Sequence, residues 1–207
     1  MSTVLIFTDG DPPGMQLVDE LPDAELVVAA DGGYDHAVAL GYSVDVVVGD
    51  MDSIETAPLP RHVIVERHPV DKDATDLELA LDLVSRDSPD RVVVVGGSGG
   101  RVDHELATAG LLGSDRWPGI DDLDWVSPRG WVHVVKERRI MHGDKGTILT
   151  LLPVGGEITG VITRGLKWDL NDEVLTAGTT RGVSNVMTGP VADIKIGSGC
   201  LLVVIPA

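Results

Sequence analysis

The sequence predicts a Rossmann-like α/β domain with a parallel sheet, followed by an all-β sandwich domain. Three observations carry that prediction. Up to about Pro128, short apolar runs alternate with stretches of helical periodicity, the pattern of a parallel sheet covered on its faces. Beyond it, short runs rich in Val, Ile and Thr are separated by glycine turns. The chain has 207 residues and is 43% hydrophobic, enough to bury one good core or two small ones.

Taken in order, Val4 to Thr8, Leu26 to Ala30, Val44 to Val48, His62 to Val65 and Arg91 to Val95 read as strands. A helix starts at Thr75. Thr75 and Glu78 form a capping-box pair, and Leu77, Ala80, Leu81 and Val84 then recur three and four residues apart on one face. A second helical pattern, containing Leu106, Ala109 and Leu112, follows Arg101. In the later part, Trp131 to Val135, Thr147 to Leu152, Gly160 to Thr163, Val174 to Thr176, Ile194 to Ile196 and Leu201 to Ile205 read as strands. Pro153-Val154-Gly155-Gly156 and Gly197-Ser198-Gly199 read as turns. The join is expected around Asp121, Asp122, Ser127, Pro128, Arg129 and Gly130, giving domains 1–128 and 129–207.

A formal charge of −17 excludes non-specific nucleic-acid binding, which needs clustered lysine and arginine. It leaves room for an anionic nucleotide where magnesium and a local arginine supply the positive field. No run of about 18 apolar residues occurs and the amino terminus lacks a signal pattern, so a soluble, cytoplasmic protein is expected. Cys200 is the only cysteine, which rules out an intrachain disulfide or a cysteine-based zinc cluster. Its neighbours Leu201 to Val204 make it a core filler.

The strongest chemical signal is Val46-Val47-Val48-Gly49-Asp50-Met51-Asp52-Ser53. Two carboxylates two positions apart at the end of an apolar strand share a side if the strand conformation continues, which makes a hard-cation site of the kind magnesium occupies beside phosphate. An Asp-x-Asp by itself also occurs in solvated turns. Three further segments weigh against that reading. Asp31-Gly32-Gly33 ends another apolar run, Lys72-Asp73-Ala74-Thr75-Asp76 leads into a helix, and Gly96-Gly97-Ser98-Gly99-Gly100-Arg101-Val102-Asp103-His104 follows Val92 to Val95 as a glycine-rich, phosphate-type turn. Five aspartates thus stand where open α/β sheets bind ligands. Read singly, Asp76 suits a helix dipole, Asp103 a helix cap, and Arg101 a surface pair with Asp103 or Glu105. His104 reads equally as a nucleotide contact or as a packed or solvent-facing residue. Trp168 stands in a polar, glycine-bounded stretch; it offers a π face to a cationic ring or fills a sandwich core, and Trp117, Trp125 and Trp131 read as core.

Together, Ala30-Asp31-Gly32-Gly33, Gly49-Asp50-Met51-Asp52-Ser53-Ile54, Asp73-Ala74-Thr75-Asp76 and Gly99-Gly100-Arg101-Val102-Asp103-His104 closely resemble the catalytic domain of thiamine pyrophosphokinases. Gly165-Leu166-Lys167-Trp168-Asp169-Leu170 and Gly182-Val183-Ser184-Asn185 resemble that family's thiamine-binding domain. Met51 departs from the family's usual Phe or Leu but stays apolar. The resemblance implies transfer of the diphosphate of ATP to the hydroxyethyl group of thiamine, with Mg2+ and in a homodimer whose subunits share the active site. It implies metal and phosphate binding by Asp50, Asp52, Asp73 and Asp76. It also implies nucleotide-side contacts from Asp31, Gly32, Gly33, Ser53, Thr75, Gly99, Gly100, Arg101, Asp103 and His104, and thiamine contacts from Trp168, Ser184 and Asn185. Three other readings stay open: an aspartyl-phosphate phosphohydrolase built on Phe7-Thr8-Asp9-Gly10-Asp11, diphosphate transfer to another alcohol such as a pterin, and a non-catalytic nucleotide- or thiamine-binding module.

Overall fold

The computed structural model describes residues 2–56 and 58–207. The chain divides into two compact units, Met1–Thr108 with Arg116–Arg129, and Ala109–Asp115 with Gly130–Ala207.

In the first unit, the strands are β1 (Thr3–Phe7), β2 (Leu26–Ala30), β3 (Val46–Gly49), β4 (Ile64–Arg67), β5 (Arg91–Val95) and β6 (Asp122–Ser127). They lie side by side in the order β4-β3-β2-β1-β5-β6, and every pairing is parallel. Helices α1 (Met15–Val18), α2 (Gly33–Ala39), α3 (Asp76–Ser85) and α4 (Val102–Leu112) interrupt the strand sequence. The central strands are buried on both faces, which is why they read as unbroken Val, Leu and Ile runs. Thr75 caps α3, its hydroxyl accepting from the Glu78 backbone N–H at 3.2 Å. The Glu78 side chain turns instead to Arg116, so the capping box is half made.

Two expectations shift here. β4 begins at Ile64, not His62, because a turn from Pro60, with Val63 N–H bonded to the Pro60 carbonyl, delays the pairing with β3. Asp122 and Ser127, expected at the join, are the two ends of a sixth parallel strand. Asp124 disguised it as polar, yet its carboxylate is fully buried and takes two hydrogen bonds from Arg91 on the neighbouring strand, at 2.7 and 3.0 Å. A buried charge is tolerated when paired in this way. The helical pattern containing Leu106, Ala109 and Leu112 is α4, in which Leu106 is 69% exposed and Leu112 is fully buried.

The second unit contains β7 (Gly130–Val135), β8 (Arg138–His142), β9 (Ile148–Arg164), β10 (Asn171–Thr176), β11 (Asn185–Val186), β12 (Val191–Lys195) and β13 (Ser198–Pro206), all in antiparallel pairings. β9 is common to both layers. Its first part pairs with β13, which continues to β7, and its last part pairs with β10 and with β12, which continues to β8. Leu149, Leu151, Ile158, Val161, Leu175, Ile194 and Leu201 pack between them. The two strands expected on either side of Pro153 to Gly156 are therefore one. Gly155, at φ 77°, makes a bulge where a turn was expected, and the register against β13 slips between Cys200 and Ser198. β8 escaped the sequence reading because two arginines open it; Arg138 forms a bidentate pair with Asp193 on β12. Cys200 is buried, as its neighbours predicted, and burial pushes its thiol pKa up. No helix among the described residues is long and apolar enough to cross a membrane.

Candidate active site

The carboxyl ends of β2 and β3 bring the acidic residues together. Asp31 leaves β2 at φ 44°, a left-handed conformation that aspartate tolerates better than most residues, and Met51 follows β3 at φ 71°. Gly49, at φ 145°, has no room for a side chain: a Cβ there would lie 2.9 Å from Asp76 Oδ1 and 3.1 Å from Asp31 Cβ. The absent side chain lets Asp31 and Asp76 close over the end of β3. One carboxylate oxygen each from Asp31, Asp50 and Asp52 lie within 4.8 Å of one another. Asp52 donates its backbone N–H to Asp50 Oδ1 at 3.1 Å, and the Ser53 hydroxyl donates to Asp52 Oδ1 at 2.9 Å. Arg67 bonds the Asp50 carbonyl at 3.1 Å.

Two groups position this cluster without having been singled out from the sequence. Lys72 places its ammonium 3.0 Å from Asp50 Oδ2 and 3.1 Å from Asp76 Oδ1. Its spacing of four from Asp76 was the available signal. Asp35 on α2 accepts the backbone N–H groups of Glu55 and Thr56 at 2.7 and 3.0 Å, clasping the segment after Asp52. Nothing in the sequence marks a contact 20 residues distant.

The carboxylates are unequal. Asp31 is only 7% exposed, and its Oδ1 has no hydrogen-bond partner. Burial raises its pKa above the ordinary aspartate value, and the charges of Asp76, Asp50 and Asp52 add to this, while the Ser53 hydroxyl opposes it. Asp50 is held below that value, first by the Lys72 hydrogen bond and then by the Asp52 N–H. For Lys72, burial opposes the charge, but Asp50 and Asp76 outweigh it and its pKa is raised. The linkage for Asp31 follows from its direction: its ionised form is disfavoured in the folded state, so its contribution falls as pH rises from the unfolded-state pKa of about 3.9 through the folded value. Asp31→Asn, which keeps a residue suited to φ 44°, is expected to stabilise the fold at neutral pH by on the order of 1 kcal/mol. Thermal melts across pH check this, since the gain should vanish in acid, below about pH 4.

The glycine-rich turn after β5 is held from two sides. Trp125 on β6 donates its indole N–H to the Gly96 carbonyl at 2.6 Å. The segment after β1 is stitched to the same turn by Gly97 N–H to the Asp9 carbonyl, 2.8 Å, and Asp11 N–H to the Ser98 carbonyl, 2.7 Å. Asp9 and Asp11 therefore border the turn. Gly32 and Gly33 are buried at the start of α2, where Gly33 passes too close to the Phe7 carbonyl for any side chain. Gly99, Gly100, Asp103 and His104 are exposed. Arg101 makes a two-pronged ion pair with Asp103, both more than 60% exposed, which is the surface pair that the sequence admitted. Thr75 is spent on its helix cap. Asp73 is exposed, and no hydrogen bond or ion pair among the described residues ties it to the cluster.

The second unit has its own cavity, about 590 Å³, lined by Trp168, Leu170, Thr180, Arg181, Gly182, Val183, Ser184 and Asn185. Trp168 is 50% exposed, so it is not a core residue, whereas Trp117, Trp125 and Trp131 are buried. Asn185 is 3% exposed, and its amide is committed to the Trp168 backbone: Oδ1 accepts the Trp168 N–H at 3.2 Å and Nδ2 donates to the Trp168 carbonyl at 2.9 Å. Lys167 Nζ lies 4.5 Å from the Trp168 ring centroid, showing that the indole face accepts a cation. Ser184, at φ 56°, is fixed by its N–H to Thr150 Oγ1, 3.0 Å. Arg181, also unmarked in the sequence, lines the cavity while paired with Glu173.

Comparison with known proteins divides the chain in the same sense. Residues 17–116 match the family described as thiamin pyrophosphokinase, catalytic domain, and residues 132–201 match thiamin pyrophosphokinase, vitamin B1 binding domain. The chain is 28% identical over 198 residues to thiamine pyrophosphokinase 1 of Oryza sativa subsp. japonica, covering 79% of this chain and 72% of that protein. It is 30% identical over 212 residues to thiamine pyrophosphokinase 1 of Arabidopsis thaliana, covering 86% and 77%. The crystal structure of thiamine pyrophosphokinase from Bacillus subtilis has the same fold, with a TM-score of 0.83 at 22% identity over 100% of this chain and 99% of that one.

Proposed function

The chain belongs to the thiamine pyrophosphokinase family and is a thiamine diphosphokinase, and from that premise we propose which of its groups carry the reaction. The terminal diphosphate of ATP passes to the hydroxyethyl oxygen of thiamine: a new O–P bond forms at the β-phosphorus, its bond to the α-phosphate oxygen breaks, and AMP leaves. The hydroxyl of thiamine is the nucleophile, so the protein has to align the reactants and neutralise charge.

The observation that carries the reading is the convergence of Asp31, Asp50 and Asp52. An all-carboxylate oxygen set with one buried, unpartnered oxygen suits a hard divalent cation. We assign Mg2+ to Asp50 and Asp52 together with Asp31, whose oxygens converge, and assign Asp76 and the exposed Asp73 to the same metal and phosphate site; when bound the ion would supply positive charge to the phosphate oxygens. A carboxylate of this cluster takes the proton from the thiamine hydroxyl as the new bond forms. Gly32, Gly33, Ser53, Thr75 and the turn Gly99-Gly100 with Arg101, Asp103 and His104 are assigned to the nucleotide side, Arg101 exchanging Asp103 for phosphate oxygens. Trp168, Ser184 and Asn185 are assigned to thiamine: the indole faces the cationic ring, Ser184 offers polar contact, and Asn185 holds the Trp168 backbone in place.

The acidic cluster belongs to the first unit and the Trp168 cavity to the second. We propose that domains 1–128 and 129–207 work together in a cytoplasmic homodimer with a shared active site, which sedimentation of the purified protein tests. The activity test is a reaction of thiamine, ATP and magnesium, followed by chromatography at low and high salt. Thiamine diphosphate and AMP in equal amounts are expected; ADP, or free phosphate without thiamine diphosphate, would overturn the assignment.

A further inference from the structure

Lys72 has no part in the assignments above, yet it is the residue most deeply engaged with the acidic cluster. Its side chain is 14% exposed, and its ammonium bridges Asp50 Oδ2, on the loop after β3, and Asp76 Oδ1, in the first turn of α3. Asp50 is also one of the three residues whose oxygens converge within 4.8 Å. The same carboxylate is therefore held by an ammonium and offered to a cation site. Asp31 Oδ1 is buried without a hydrogen-bond partner, and Asp76 Oδ1 meets Lys72 as an ion pair without a directed hydrogen bond, so the ammonium serves the cluster only in part.

Lys72 holds Asp50 Oδ2, and a divalent ion on the same carboxylate would stand only a few ångströms from the ammonium, where the two positive charges repel and each weakens the other's hold. We propose that Lys72 is an exchangeable counter-cation: its ammonium neutralises Asp50 and Asp76 in the resting protein and releases them when a divalent cation is bound. This rests on the cluster being the metal site. Lysine suits the task because it carries a compact charge on a flexible four-carbon stem, whereas the planar fork of arginine would fix a geometry. Lys72 also precedes α3 in irregular chain, so its side chain can leave without disturbing that helix. The exchange explains why four clustered carboxylates do not push the ends of β2, β3 and α3 apart, and it sets metal affinity below what their charge alone would give. Once released, the ammonium remains within side-chain reach of whatever anion the metal brings.

The test uses the full-length protein, without ATP or thiamine, and compares Lys72→Met with wild type by Mn2+ titration and by thermal melts in chelator and in magnesium. Lys72→Met is expected to bind Mn2+ about tenfold more tightly, because binding no longer displaces an ammonium. It should melt below wild type in chelator, with the gap closing in magnesium. Unchanged or weaker Mn2+ binding beside normal wild-type binding, or a stability loss that magnesium does not repair, would overturn the exchange and leave Lys72 a structural ion pair. Wild-type protein that binds no divalent cation would instead refute the metal-site reading beneath it. Lys72→Gln, which keeps a donor for Asp50, takes the same measurements if the methionine variant does not fold.

Discussion

Asp52→Asn is expected to lower kcat at saturating magnesium by about 10²–10³-fold, the usual cost of removing one well-placed electrostatic group from a reaction that depends on charge neutralisation. Asp52 is exposed, and its carboxylate accepts the Ser53 hydroxyl, a bond that asparagine can still accept through Oδ1. Folding stability should therefore stay within about 0.5 kcal/mol of wild type, as for most surface substitutions. The contrast between a large kinetic loss and an unmoved melt separates a catalytic role from a structural one. Steady-state kinetics over a magnesium series, paired with thermal unfolding, makes the comparison. Wild-type turnover at high magnesium would remove Asp52 from the metal site, and a fold that collapses would show that the loop after β3 depends on its charge.

Trp168→Ala should raise the KM for thiamine by about 10–100-fold while leaving the KM for ATP within about twofold, since a desolvated cation–aromatic contact plus buried ring area is worth a few kcal/mol. Half of the Trp168 surface is exposed, so truncation opens no core cavity. The backbone at 168 remains pinned by Asn185, so the change removes the ring and leaves the chain path. Initial-rate kinetics with each substrate varied in turn reads the split. Equal loss for both substrates would place Trp168 outside the thiamine site, and global unfolding would show that its half-exposed ring supports the fold.

The glycine and aspartate motifs were legible because they obey local rules. Asp31, Asp50 and Asp76 stand at strand ends or at a capped helix start, and periodicity alone puts them there. Trp168 was marked by its mismatch with its polar surroundings. Arg91 with Asp124 shows the opposite case: a polar residue looks like a linker until the partner that neutralises it is known, and that partner lies 33 residues away. Pro153 to Gly156 carry every mark of a turn, yet β13 pairs across them and makes one bulged strand. Long-range pairing outweighs local propensity when a strand gains a partner along its length.

The sequence by itself determined the family, the parallel-then-antiparallel order of the chain and the tryptophan that stands apart, and it marked the acidic segments without deciding which of their carboxylates converge. Those features depend on residue type, spacing and side-chain period, all of which are local. Only the tertiary structure decided that Lys72 spans Asp50 and Asp76, that Asp35 clasps the loop after Asp52, that Trp125 holds Gly96 and that Asn185 is spent on the Trp168 backbone. Each joins groups brought together by strand register or helix packing, and a hydrogen bond of about 3 Å is fixed by where the chain folds, not by how far apart its residues stand in sequence.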